Sequence, residues 1–266
     1  MKASNRLTGL SFPGMDTTIN YQIRGQYTRM PFLTTSVDKD VETTYNPSLS
    51  ELYGNSKLTD EEVPSMSRLK ELRTPVFWVE GHPGKLDRAG WEIDVTGLCD
   101  KPTKLAWDTL LSMAKTVADA RLTSVTRFSV RGKWGGVKVA DILETVKASP
   151  RVKYVRFWSV KKIYDTSIPI DVALRERTLM AYEFDGEYLE EDYGGPVRAF
   201  VPYLWGYKSA KSVLRIDLMD HYIPGFWEQR GYTDDAWIEA GKVRDMNSGG
   251  RIRPIPDGEV IKFLDE

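Results

Sequence analysis

With 266 residues, 41% of them hydrophobic, the chain has the length for one large domain or two small ones and the apolar content to fill a core. Eight Trp and thirteen Tyr argue against disorder, and a net charge of -1 removes any bulk electrostatic case for nucleic acid or an anionic membrane. One cysteine, Cys99, excludes an internal disulfide; with only His82 and His221 beside it, the chain has no ligand set for zinc, iron–sulfur or covalently attached haem, so any haem belongs to a partner.

The N-terminus, Met1–Arg6, lacks an apolar signal core and a twin-arginine pair. The expected location is therefore the cytoplasm as written, or the periplasm if a leader has been removed. Residues 1–75 have scattered apolar positions interrupted by Asn, Ser, Thr, Asp and Pro. They read as an extended arm, wrapped on a partner or draped over its own domain, with a short helix near Asp60–Leu72. From Trp78 the signal sharpens. Trp91–Gly97 alternates like a strand, and Leu105–Lys115 has near-helical apolar spacing. Val139–Val146 predicts a second short helix and Tyr154–Trp158 a buried strand. Leu179–Phe184 and Glu187–Leu189 flank Asp185-Gly186, the signature of a tight hairpin. Val197–Val201 and Val213–Leu218 are further strands. Residues 233–266 read as a polar C-terminal tail ending in the amphipathic stretch Val260–Leu264. No apolar run reaches the roughly 18–20 residues of a membrane span. Short strands with a few helices in irregular order predict an α+β fold, with the main domain over 76–232.

Three segments carry a family resemblance. The first is Thr123-Ser124-Val125-Thr126-Arg127-Phe128-Ser129 followed by Trp134-Gly135-Gly136-Val137. The second is Leu179–Leu189. The third is Gly194-Gly195-Pro196-Val197-Arg198 with Val201-Pro202 and Gly206-Tyr207-Lys208-Ser209-Ala210-Lys211, and Gly225–Tyr232 extends it. In this order they resemble the sulfite oxidase superfamily, above all its methionine-sulfoxide reductase catalytic subunits and small sulfite-oxidase-like branches. The family's metal segment reads Cys-Val-Thr-x-Trp-Ser, then Trp-x-Gly-Val. The resemblance implies mixed short β-sheets with few helices and a molybdenum ion on a pyranopterin that ends in a phosphate.

Carried over residue by residue, the resemblance places the metal ligand at Ser124. It places phosphate contacts at Arg198, Lys208, Ser209, Ala210 and Lys211, where cations and backbone N–H groups suit an anion. Pterin neighbours fall at Asn46, His82, Ser159 and Tyr193. Arg127, beside the motif, is positioned to attract an anionic substrate. The departures are as informative. Ser124 stands where the family has a metal-binding thiolate, and a serine hydroxyl is harder and far less acidic than a thiol; oxidised molybdenum accepts an alkoxide because a high-valent metal lowers the pKa of a bound oxygen donor. Phe128 replaces a tryptophan, Tyr193 a His or Asn, and Glu80-Gly81 an Arg-Asn pair.

Three functions follow. One is oxygen-atom transfer on a small S-oxo or N-oxo substrate, with electrons exchanged with a separate redox partner. Another is a non-catalytic subunit, its site chemistry lost by drift, bound into a larger complex through its terminal arms; the aromatic run Tyr222–Trp237 would then serve as interface anchors or as core. The last is a protein whose pocket takes an unrelated ligand.

Overall fold

A computed structural model describes residues 67–258, together with the backbone of strands β1 (Ile19–Ile23) and β2 (Gln26–Met30). In chain order there follow α1 (Arg68–Glu71), β3 (Val76–Phe77), β4 (Glu92–Gly97), β5 (Thr103–Ala106), α2 (Trp107–Ser112) and the long pair β6 (Lys115–Thr123) and β7 (Phe128–Lys138). Next come α3 (Val139–Thr145), β8 (Tyr154–Ser159), β9 (Asp165–Pro169), α4 (Ile170–Ala173), β10 (Leu179–Phe184), β11 (Glu187–Tyr188) and β12 (Arg198–Phe200). The described chain closes with β13 (Val213–Met219), β14 (Gly241–Asp245) and β15 (Arg251–Ile255).

Among the described residues the strands form three sheets. One runs β5-β4-β13-β8-β9 and another β11-β10-β7-β14-β15, with β12 on β10 and β6 on β7; the small third sheet is β2-β1-β3. This is the mixed α+β architecture expected from the sequence. Period-two burial explains the first sheet: in β4 only Ile93 and Val95 are buried, and in β8 Val155, Phe157 and Ser159 point inward. Asp185 and Gly186 adopt φ of 51° and 89°, the positive values a two-residue hairpin turn requires.

Two expectations are corrected. The helix predicted over Leu105–Lys115 is confined to Trp107–Ser112. Leu105 lies in β5 opposite Ile93, and Lys115 already begins β6. Strand pairing on both sides overrides the apolar spacing there. The polar tail is likewise a hairpin over 241–255. β15 pairs with β14, β14 runs parallel to β7, and Val243, Met246 and Ile255 are buried. Its outward Lys and Arg side chains hid the inward period. Asp245, also buried, meets Arg121 of β6 at 3.0 Å and Arg253 at 3.2 Å. The predicted helix near Asp60–Leu72 survives as Arg68–Glu71; positions 60–66 lie outside the described residues. Of the aromatic run, Trp227 and Tyr232 stack at 4.9 Å and pack against the core, while Trp237 is exposed.

Apolar side chains gather in two clusters. The larger lies on the five-stranded sheet with α2 and α3; the smaller joins Leu69, Trp78, Val130, Trp134, Phe184 and Phe200. At their seam β7 must approach β10 closely. A Cβ on Gly136 would lie 2.2 Å from the Met180 carbonyl oxygen, so only glycine fits. The same seam holds a cavity.

Candidate functional site

A cavity of about 200 Å³ lies between the two clusters, walled by residues from β3, the β6–β7 hairpin, β8, β12 and the turns after it. It gathers Ser124, Ser159, Tyr193, Arg198, Ser209 and Lys211, six of the positions singled out in the sequence.

Ser124 opens the tight loop that joins β6 to β7. Its N–H donates to the Phe128 carbonyl and the Arg127 N–H donates to its own carbonyl, both at 2.8 Å, and Arg127 closes the turn at φ 69°. Below the loop, the Thr123 and Ser129 hydroxyls meet at 3.0 Å. The Ser124 oxygen accepts the Thr126 N–H at 3.2 Å and lies 2.8 Å from the Thr126 hydroxyl. Two donors thus stand ready to stabilise negative charge on that oxygen. This suits an alkoxide ligand to a hard, high-valent metal. Among the described residues no three His, Cys, Asp or Glu side chains converge as an alternative metal site.

Arg198 and Lys211 supply the positive charge. Their stems run side by side over Gly194, where a Cβ would lie 2.8 Å from Lys211 Cγ and 3.2 Å from Arg198 Cβ; the glycine also holds φ at +96°. Arg198 is only 4% exposed and gives its donors to carbonyls, Tyr193 at 2.7 Å and Ser209 at 3.1 Å being the closest. Burial lowers its pKa to about 10. The Lys211 ammonium donates to the Phe77 and Asp192 carbonyls at 2.9 Å each and lies 4.8 Å over the Trp78 ring. Burial first, then the Arg198 charge, hold it well below the ordinary lysine range, with Asp192 opposing. Neither cation forms an ion pair with a carboxylate of the described residues. Buried charge left unpaired in this way is costly and suits an anionic ligand.

Three further groups on the wall were not anticipated. Trp78 Nε1, Trp134 Nε1 and Thr74 Oγ1 are buried and find no hydrogen-bond partner among the described residues. Each such group costs about 1–3 kcal/mol, and all three belong to residues that line the cavity. Trp134 lay within the recognised motif, but the missing partner of a side chain is a three-dimensional property that sequence does not carry. The donor set fits a flat hydrogen-bonding ring with a phosphate.

Other expectations shift. Ser159 is on the wall, but its hydroxyl donates to Glu80 Oε1, so toward a ligand it can only accept. Tyr193 also lines the wall, its hydroxyl donating to the Thr74 carbonyl at 3.4 Å; burial raises its pKa. Ser209 Oγ accepts the Val201 N–H at 3.0 Å. Lys208 is turned away into a fully buried pair with Glu228 and donates to the Ser167 carbonyl at 3.0 Å. Its sequence neighbour Ala210 is buried off the wall, its carbonyl accepting the Ala199 N–H at 2.9 Å. Arg127 is exposed outside the cavity, stacked 4.9 Å over Trp205, because its positive φ carries it away from the interior. His82 also stands off the wall, 2.9 Å from Asp192 and edge-on to Trp78. Asn46 lies outside the described residues.

Comparison with known proteins converges on one family. The pattern of the oxidoreductase molybdopterin binding domain matches residues 80–227. The chain is 31% identical to an uncharacterised oxidoreductase, YuiH, of Bacillus subtilis, over 61% of this chain and 83% of that protein. It is 31% identical to a putative protein-methionine-sulfoxide reductase subunit, YedZ1, of Azospira oryzae, over 56% of each. With the protein-methionine-sulfoxide reductase catalytic subunit MsrP of Gluconobacter oxydans the identity is 30%, over 52% of this chain and 50% of that one. The chain thus spans about half the length of the two reductase subunits. Among solved structures, the sulfane dehydrogenase SoxCD from Paracoccus pantotrophus superposes with a TM-score of 0.55 at 18% identity, covering 70% of this chain and 49% of that one, a likeness of fold.

Proposed function

The chain belongs to the oxidoreductase molybdopterin-binding family, and from that premise we propose that it holds a molybdopterin in the seam cavity and uses it to reduce a small S-oxide. The observation that carries this reading is the pair of buried cations lining one cavity, Arg198 and Lys211, hydrogen-bonded to main-chain carbonyls but outside any ion pair among the described residues. Arg198 and Lys211 bind the phosphate, with Ser209 beside them. Trp78, Trp134 and Thr74 orient the ring system. Ser124 would hold the metal through its oxygen, with the Thr126 N–H and hydroxyl placed to donate to that oxygen. The largely apolar remainder of the wall, Leu122, Val125, Phe128 and Trp227 among it, excludes water. When bound, molybdenum supplies two-electron exchange coupled to transfer of one oxygen atom. The balanced reaction takes one S-oxide, two electrons and two protons to a thioether and water. The electrons come from a separate redox partner protein. Relatives named for methionine sulfoxide favour an S-oxide over other oxides. The test is anaerobic oxidation of a reduced viologen by the purified protein with methionine sulfoxide. Turnover that disappears in Ser124→Ala supports the reading. Turnover that survives in Ser124→Ala overturns Ser124 as the metal's ligand.

One observation favours a second reading. Ser124 offers a hard oxygen where the family segment it resembles has a metal-binding thiolate, which suits a subunit that keeps the pterin and the fold without the chemistry. In that case Ser124→Cys gains metal and activity that the wild type lacks.

A further inference from the structure

Glu80 is the sole carboxylate on the cavity wall among the described residues. It follows β3, and both its oxygens are held in place. Oε1 accepts the Ser159 hydroxyl and Oε2 accepts the Tyr164 N–H at 3.0 Å. Among the described residues no cation forms an ion pair with it. The nearby Lys161 ammonium goes instead to the main-chain oxygens of Glu80 and His82, at 3.2 and 3.1 Å. A carboxylate offers about four lone-pair sites. Two are used, one on each oxygen, which leaves one acceptor site on each. The same wall carries Arg198 and Lys211, which do not pair with Glu80. Charges of both signs kept apart in one cavity call for an occupant with paired donors on one part and an anion on another.

We propose that Glu80 is a pterin-recognition residue: its remaining acceptor sites take the N3–H and 2-amino group of an aminopyrimidinone ring while Arg198 and Lys211 take the ligand's anionic end. This rests on the molybdopterin reading above and adds to it a residue and an orientation. A ring with a carbonyl at position 2 would turn a lone pair toward the carboxylate and be rejected.

The test uses the full chain freed of cofactor and two matched probes, 6-carboxypterin and 6-carboxylumazine, which differ at position 2. Quenching of tryptophan fluorescence reports binding, since Trp78 and Trp134 line the wall. The variant is Glu80→Gln. Its amide oxygen still accepts the Tyr164 N–H and its amide nitrogen donates to the Ser159 oxygen, so the protein's own bonds survive. We expect the wild type to prefer the pterin by at least about tenfold. In Glu80→Gln that preference falls to about twofold or less, with the melting midpoint moved by no more than about 2 °C. No preference in the wild type, including no response to either probe, overturns the assignment, as does an unchanged preference in Glu80→Gln. The two failures are separable. Natural pterin in the purified protein with an indifferent Glu80→Gln sinks the role of Glu80 alone. A purified protein without pterin sinks the functional reading.

Discussion

Trp78 and Trp134 are 3% and 0% exposed, yet their indole N–H groups find no partner among the described residues. Phenylalanine at either position keeps most of the ring and deletes the donor. If the donors serve the protein itself, both variants destabilise the empty chain. If they serve a ligand, Trp134→Phe leaves the empty chain as stable or more so, and accelerates cofactor loss roughly fivefold or more, as expected for a hydrogen bond of about 1 kcal/mol. Pterin release followed by its fluorescence, beside melting of both forms, separates the cases.

Lys211 gives a residue-scale prediction in pH. Its ammonium is held well below the ordinary lysine range by burial and by Arg198. A base with a depressed pKa burdens the fold while protonated. Between the depressed value and the ordinary one near ~10.4, the unfolded chain binds more protons, so the empty protein gains stability from this group as pH rises through that window. Anion affinity moves the other way, because deprotonated Lys211 carries no charge. Calorimetric titration with inorganic phosphate is expected to weaken through the same window. Affinity that holds flat or rises contradicts a phosphate role for Lys211.

At the scale of elements, the β14–β15 hairpin is fixed to β6 by the buried Arg121–Asp245 pair, with Arg253 on the other carboxylate oxygen. Removing one partner of a buried pair strands the other charge, at about 3–5 kcal/mol. Asp245→Ala is therefore expected to lower unfolding free energy by that order in denaturant titration, while Lys242→Ala on the exposed face of β14 changes little. A loss below about 1 kcal/mol would show the hairpin to be an appendage rather than part of the sheet. The hairpin also shows where sequence stops being legible. Val243 and Asp245 point in while Lys242 and Arg244 point out, so a buried period-two strand carries the composition of a polar tail. The strand of Glu92–Gly97 and the Asp185-Gly186 turn were readable because each is encoded locally.

Across the whole molecule, the cavity lies on the seam between two apolar clusters rather than inside one. An occupant there ties both clusters, and binding only to the folded state adds about 4 kcal/mol when ligand is a thousandfold above its Kd. The loaded chain is expected to melt as one unit well above the empty chain. The molecular scale also explains which site residues could be read in advance. Ser124, Ser159, Arg198, Ser209 and Lys211 lie in contiguous motifs, and the fold delivers them to one wall. Lys208 and Arg127 belong to the same motifs but point elsewhere. Glu228 draws Lys208 inward away from the wall, and a positive φ swings Arg127 outward. Glu80 was legible as a departure from the family pattern. The hydrogen bonds that fix its carboxylate emerge only once Ser159 and Tyr164, 79 and 84 residues away, are brought beside it.

The central claim is that Ser124 and the polar wall hold a molybdenum-bearing pterin. The most direct measurement is metal and pterin content of the purified native protein, by elemental analysis for molybdenum and by fluorescence of the released, oxidised pterin. The account predicts close to one of each per chain, with Ser124→Ala losing the metal and keeping the pterin. A protein that contains neither would contradict it.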